Sequence, residues 1–105
     1  MDATLLIYSG RPNPAWHVEA HCAQQVEEAL AVLPAAPDGA SPYAGLGYSG
    51  VRVDYVDAAG KRHQAVFGSG IALLDGRPLL DRERRLERAV LASGRSKVAE
   101  IDRLF

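Results

Sequence analysis

The sequence predicts an α+β fold: a small antiparallel or mixed sheet with two helices packed on one face, formed by residues 1–105 as a single globular domain. Three observations predict it. Two segments repeat apolar residues at helical spacing, several short β-rich segments are separated by Gly and Asp-Gly turn signals, and 105 residues give room for one modest core. Hydrophobic residues make up 48% and charged residues 24%, which is ordinary globular usage and unlike a disordered or fibrous chain.

The elements follow in chain order. Residues 4–8 form a short apolar run rich in β-formers, stopped by Ser9 and Gly10, and predict the first strand. Cys22, Val26, Ala29, Leu30 and Leu33 then recur at helical spacing, with His21, Gln24, Gln25, Glu27 and Glu28 on the other side, so the first helix is expected over residues 19–33. Pro34 ends it. Residues 34–50 hold three prolines and four glycines and read as an irregular connection.

Residues 51–57 alternate, with Val51, Val53 and Tyr55 on one face and Arg52 and Asp54 on the other, as a half-solvated antiparallel strand requires. Residues 57–60 read as its hairpin turn, and residues 61–67 as the returning strand. Gly68, Ser69 and Gly70 suggest a bulge before residues 71–74 carry the strand onward, and Asp75-Gly76 is a further turn signal. Asp81 can cap a last helix whose apolar positions are Leu86, Ala89, Val90 and Leu91, with Gly94 interrupting it and Val98, Ile101 and Leu104 inward beyond. The expected core is Leu5, Ile7, Val26, Leu30, Leu33, Val53, Tyr55, Phe67, Leu86 and Val90.

A formal charge of −1 provides no field to draw in nucleic acid or an anionic membrane, so neither is an expected partner. No apolar run approaches the roughly 18 residues that span a bilayer, and an acid at position 2 is unlike a secretory signal. With Cys22 as the one cysteine, the expectation is a cytoplasmic protein without disulfides.

The least ordinary stretch is residues 9–16, which packs two prolines, a guanidinium, a carboxamide and an indole into eight residues. Pro12 and Pro14 fix their own φ and push Arg11 and Asn13 toward extended backbone, so the loop is stiff before any ligand arrives. Ser9, Arg11, Asn13 and Trp16, with Tyr48 from the glycine-rich segment, are the candidate ligand-binding residues, suited to a carboxylate, amide or aromatic group. The structural alternative is a corner in which Trp16 packs over the helix start and Arg11 is tied to a carbonyl or carboxylate.

Other constellations point less far. The Gly45 to Gly50 pattern matches G-x-G-x-x-G, but a helix precedes it and a strand follows, the reverse of a dinucleotide site. His17 and His21 stand four apart, yet His17 precedes the helix, and Cys22 falls on its apolar face, so neither a metal site nor a thiol nucleophile is expected. No catalytic residue and no cofactor is assigned. Arg82, Arg84, Arg85 and Arg88 interleave with Asp81, Glu83 and Glu87, and pairing of Asp81 with Arg85 and of Arg84 with Glu87 reads as a solvated, salt-bridged helix face.

Ser9-Gly10-Arg11-Pro12-Asn13-Pro14 followed by Trp16 and a helix, then Gly45-Leu46-Gly47-Tyr48 before a strand, resembles small bacterial proteins of uncharacterised function with the same opening and layout, over about residues 4–91. The resemblance implies that the proline loop and the glycine-tyrosine loop belong to one recurrent design. It implies no activity and no cofactor. Where those proteins have Ser or Thr ahead of the helix, this chain has Val18 and Glu19.

The expected function is that of a non-enzymatic accessory protein that holds a peptide or small metabolite for a partner enzyme, with an uncovered sheet edge taking an extended peptide. Two alternatives remain open: a small cyclase- or isomerase-like enzyme, and a homodimeric interaction module without ligand.

Overall fold

The computed structural model of the chain describes residues 1–7, 12–43 and 50–103 in full and Leu104 by its backbone. Six strands, β1 (Asp2–Leu5), β2 (Ala15–His17), β3 (Val51–Val56), β4 (Arg62–Gly68), β5 (Ile71–Leu74) and β6 (Arg77–Leu80), form one sheet in the order β2-β1-β3-β4-β5-β6. Every pairing is antiparallel. Two helices, α1 (Ala20–Leu30) and α2 (Arg85–Ser93), pack on one face, α2 following a 3₁₀ turn at Arg82–Arg84. A 3₁₀ helix at Ala99–Leu104 closes the described chain.

Alternation along the strands builds the core. The registers Ala3↔Val53, Val53↔Ala65 and Ala65↔Leu74 put these side chains on one face of the pleat, and Leu5, Val51, Phe67, Ala72 and Leu79 share it. All are buried, and Val26 and Leu30 from α1 and Val90 and Leu91 from α2 close over them. Of the expected core, Leu5, Val26, Leu30, Val53, Phe67 and Val90 are buried, whereas Ile7, Leu33, Tyr55 and Leu86 are partly buried at its margin.

Three tight hairpins connect β3 to β6. Gly60, at φ +82°, ends a three-residue turn closed by the Asp57 and Lys61 backbones. Ser69 and Gly70 have φ of +53° and +81°, and Asp75 and Gly76 have +49° and +85°, so both pairs make two-residue turns of the I′ kind, whose twist matches the strands. Residues 68–70 are therefore a hairpin turn and not the expected bulge.

The first strand starts earlier than expected, at Asp2, because its register follows β3; Leu6 and Ile7 lie beyond the ladder, and Tyr8 lies outside the described residues. Strands β2 and β6 were not expected. Helix α1 is shorter at both ends than residues 19–33. At its start the Glu19 carboxylate accepts the His21 and Cys22 N–H groups at 3.1 and 2.7 Å, doing the work of the absent Ser or Thr, and those bonds hold its pKa below the ordinary glutamate value. At its end the chain leaves the helix to pair with β6: Leu80 N–H donates to the Pro34 carbonyl and Ala36 N–H to that of Pro78.

This pairing covers the β6 edge of the sheet. At the opposite edge β2 is three residues long, and the Lys97 ammonium donates to the His17 carbonyl at 2.9 Å, occupying an outward-facing acceptor. An added peptide strand would therefore find the β6 edge taken, while along β2 one outward acceptor is engaged. On the face away from the helices the connection passes over β4, where a Cβ at Gly68 would meet the Pro42 carbonyl oxygen at 2.4 Å.

Candidate functional site

Asn13 and Trp16 anchor the proline loop to the fold. The Asn13 Oδ1 accepts the Ile7 N–H at 3.0 Å, and the Pro14 carbonyl accepts that of Leu5, so the carboxamide ties the start of β2 to the end of β1. Trp16 faces the core at 5% exposure, its Nε1 donating to the Ser93 hydroxyl at 3.0 Å. A Cβ at Gly94 would come within 2.5 Å of the indole, which is why glycine ends α2 there. The indole therefore braces β2 against the end of α2. Ser9, Arg11 and Tyr48 lie outside the described residues.

His63 is held between two carboxylates. It stands opposite Tyr55 in the β3–β4 ladder, ring centroids 5.1 Å apart, at the sheet end where the turns after β3 and β5 meet. Nε2 donates to Asp57 Oδ2 and Nδ1 to Asp75 Oδ2, each at 2.6 Å. Ionised carboxylates accept and do not donate, so this geometry favours the imidazolium, in which both ring nitrogens donate; the bonds to Asp75 and Asp57 raise the imidazole pKa and hold both carboxyls below their ordinary range. The aspartates also secure their own turns: Asp57 Oδ1 accepts the Ala59 and Lys61 N–H groups and Asp75 Oδ1 that of Gln64. An imidazolium with both N–H groups committed has no lone pair for a general base.

An open cleft of about 440 Å³ lies beside this cluster, lined by Met1, Asp2, Asp54, Tyr55, Arg62 and His63 among others. Asp54 Oδ2 accepts from Arg52 and Oδ1 from Gln64, while burial and the charges of Glu27, Asp75 and Asp57 push the Tyr55 phenol pKa up. Of the groups lining the cleft, Asp54, His63 and Asp2 are thus already engaged by neighbours outside it.

The remaining sequence candidates separate. His17 points to Asp2 from β2 at 3.2 Å and His21 faces Gln25 from α1. Burial and the Glu19 charge raise the Cys22 pKa, the opposite of an activated thiolate. Among the described residues, no three or more His, Cys, Asp or Glu side chains are arranged to hold a metal ion.

The arginine-rich segment departs furthest from expectation. Asp81 does not pair with Arg85. It is 1% exposed and its carboxylate accepts the Leu86 and Glu87 N–H groups at 2.9 and 3.1 Å, capping α2 from across the 3₁₀ turn. Glu87, expected on a solvated face, is fully buried and ion-paired with Arg84 through Nε at 3.0 Å and through Nη2. Between these carboxylates Glu83 and Arg84 both adopt φ +57°, left-handed backbone that costs non-glycine residues about 1 to 2 kcal/mol each.

This strained reversal forms one wall of a groove of about 370 Å³. Ala29, Val32 and Leu33 from the end of α1, with Pro34, Leu80 and Leu86, make its apolar lining, and Arg82, Glu83 and Arg85 stand at its rim. Val32 is 79% exposed. Arg85 lies 3.8 Å from Glu83, both side chains more than three-quarters exposed, and Arg82 has no ion pair among the described residues. Sequence periodicity does not reveal the groove, because it arises where α1 stops short and Glu83 and Arg84 turn left-handed.

The chain matches no protein-family model, no curated protein and no solved structure.

Proposed function

We propose that this is a non-enzymatic accessory binding protein, cytoplasmic, that holds a small metabolite or the apolar side chains of a peptide in the groove between the end of α1 and the start of α2, for use by a partner enzyme. The observation that supports this most directly is the groove itself. Its volume lies in the range of small-ligand sites, it is mostly apolar with few polar groups at the rim, and the left-handed Glu83 stands on its wall. Binding, rather than acid-base chemistry, suits a protein whose best-placed histidine has both nitrogens committed. With the β6 edge paired to residues 34–36 and β2 only three residues long, a peptide would be taken by its side chains in the groove rather than as an added strand. Among the described residues no helix is long and apolar enough to cross a membrane, which is compatible with the proposed compartment.

A methyl-detected NMR screen with small apolar acids, alcohols and short peptides tests the reading. Perturbations confined to Ala29, Val32, Leu33, Leu80 and Leu86 are expected. Shifts centred on Met1 and Val56 instead would transfer the site to the other cleft and favour the enzyme alternative.

A further inference from the structure

We infer that the groove's ligand is a small apolar monocarboxylate, its tail laid on Val32, Leu33 and Leu86 and its carboxylate held by Arg82 and Arg85; this rests on the binding role proposed above.

Charge at the rim carries the inference. Asp81 is buried and its carboxylate is committed to the α2 amides, which leaves two guanidiniums and the Glu83 carboxylate as the exposed charges around the opening. Arg82 has no ion pair among the described residues, and the Arg85–Glu83 contact, at 3.8 Å between side chains 78% and 77% exposed, is too long and too wet to hold Arg85 against a competing anion. A guanidinium presents a planar fork matched to a carboxylate, and an arginine beside apolar surface leaves such a ligand's tail a dry place to lie. A cationic head would meet two guanidiniums against the single Glu83 carboxylate, and an uncharged head would leave both guanidiniums without an anion. Volume sets the size: about 370 Å³ accommodates a chain of roughly eight carbons or a single aromatic ring, near the lower limit for ligand sites.

The test uses sodium octanoate, 1-octanol, octylammonium chloride and a short peptide of leucine and glutamate, titrated into the full chain and read by methyl and amide shifts. Octanoate is expected to perturb Val32, Leu33 and Leu86 and to bind more tightly than octanol or octylammonium. Removing both guanidiniums in an Arg82→Gln, Arg85→Gln double variant should weaken octanoate by about three- to tenfold, the scale of partly exposed ion pairs, and leave octanol unchanged. Val32→Asp should abolish binding of both. All three positions are exposed, and a thermal melt verifies that the variants fold. Equal binding of octanoate, octanol and octylammonium would overturn the carboxylate assignment while leaving the groove as a binding site. Tighter binding of the peptide than of octanoate would overturn the small-molecule assignment. Absence of any perturbation in the groove at millimolar probe would overturn both this inference and the binding role beneath it.

Discussion

At one end of the sheet, Asp57 and Asp75 grip His63 with side chains that water reaches; at the other, Asp81 and Glu87 grip the start of α2 from the interior. Both clusters hold chain reversals by offering carboxylate oxygens to backbone N–H groups and to one cationic side chain. Their surroundings differ. Around His63 the reversals are hairpin turns of favourable geometry, and the ion pairs add to a structure that the turns already specify. Around Asp81 the backbone is left-handed at two non-glycine residues, so the carboxylates there offset a local cost, and in a dry setting an orphaned partner is expensive. Contacts of the same kind therefore predict unequal consequences.

The largest effect is expected at the buried end. Asp81→Ala leaves two N–H groups of α2 without acceptors in the interior and should lower stability by about 3 kcal/mol, read from the urea midpoint at constant slope. Asp81→Asn keeps one acceptor and should fall between. A loss below about 1 kcal/mol would show that solvent reaches this cap and that the two ends are alike.

A smaller effect of opposite sign tests the strain. Glu83→Gly places at φ +57° the residue that tolerates it, at the loss of one exposed ion pair, and should raise stability by up to about 1 kcal/mol. Arg84→Gly, relieving the same strain but removing the guanidinium paired with the buried Glu87, should destabilise instead. If both variants behave alike, the Arg84–Glu87 pair is not what holds the reversal.

At the exposed end the signature is a pH dependence. Because the folded-state pKa of His63 is raised, its contribution is complete below the unfolded value of about 6.5 and is lost as pH rises through the folded value. Asp57 and Asp75 have lowered pKa values, so theirs is complete above about 3.9 and is lost as pH falls through the folded values. The cluster should contribute most between those limits. Thermal melts of His63→Asn should lose the wild type's decline on the alkaline side; an unchanged profile would remove His63 as its cause. The smallest expected effect is none: EDTA should leave the melting temperature unchanged, and a drop would reveal a metal.

What the sequence discloses follows the same division. Strands β3 and β4 and the turns after β3 and β5 are legible, because alternation and Asp or Gly at turns act within a few residues. Strand β2 is not, since three residues beside two prolines carry a single inward side chain, Trp16; β6 is masked by Arg77-Pro78. Gly68-Ser69-Gly70 suits a bulge or a turn equally, and only the pairing of β5 with β4 decides. The His63 cluster needs two hairpin registers before residues 57, 63 and 75 become neighbours, although an Asp at each of two turns on the same side of one strand is the signal that could have found it. Asp81 is recognisable as a cap, but not as one acting across a left-handed turn that residue preferences disfavour.

The three short hairpins also order the assembly of the fold in time. Residues 51–80 need only local closures, each with little chain entropy to overcome, whereas β1 must find β3 across the whole span of the loop, α1 and the connection. The C-terminal meander is thus the natural folding nucleus, and β1, β2 and α1 dock onto it afterwards. Substitutions in the turns at Ser69 or Gly76 should chiefly slow folding. Changes at Ala3 or Trp16, whose contacts form late, should chiefly hasten unfolding.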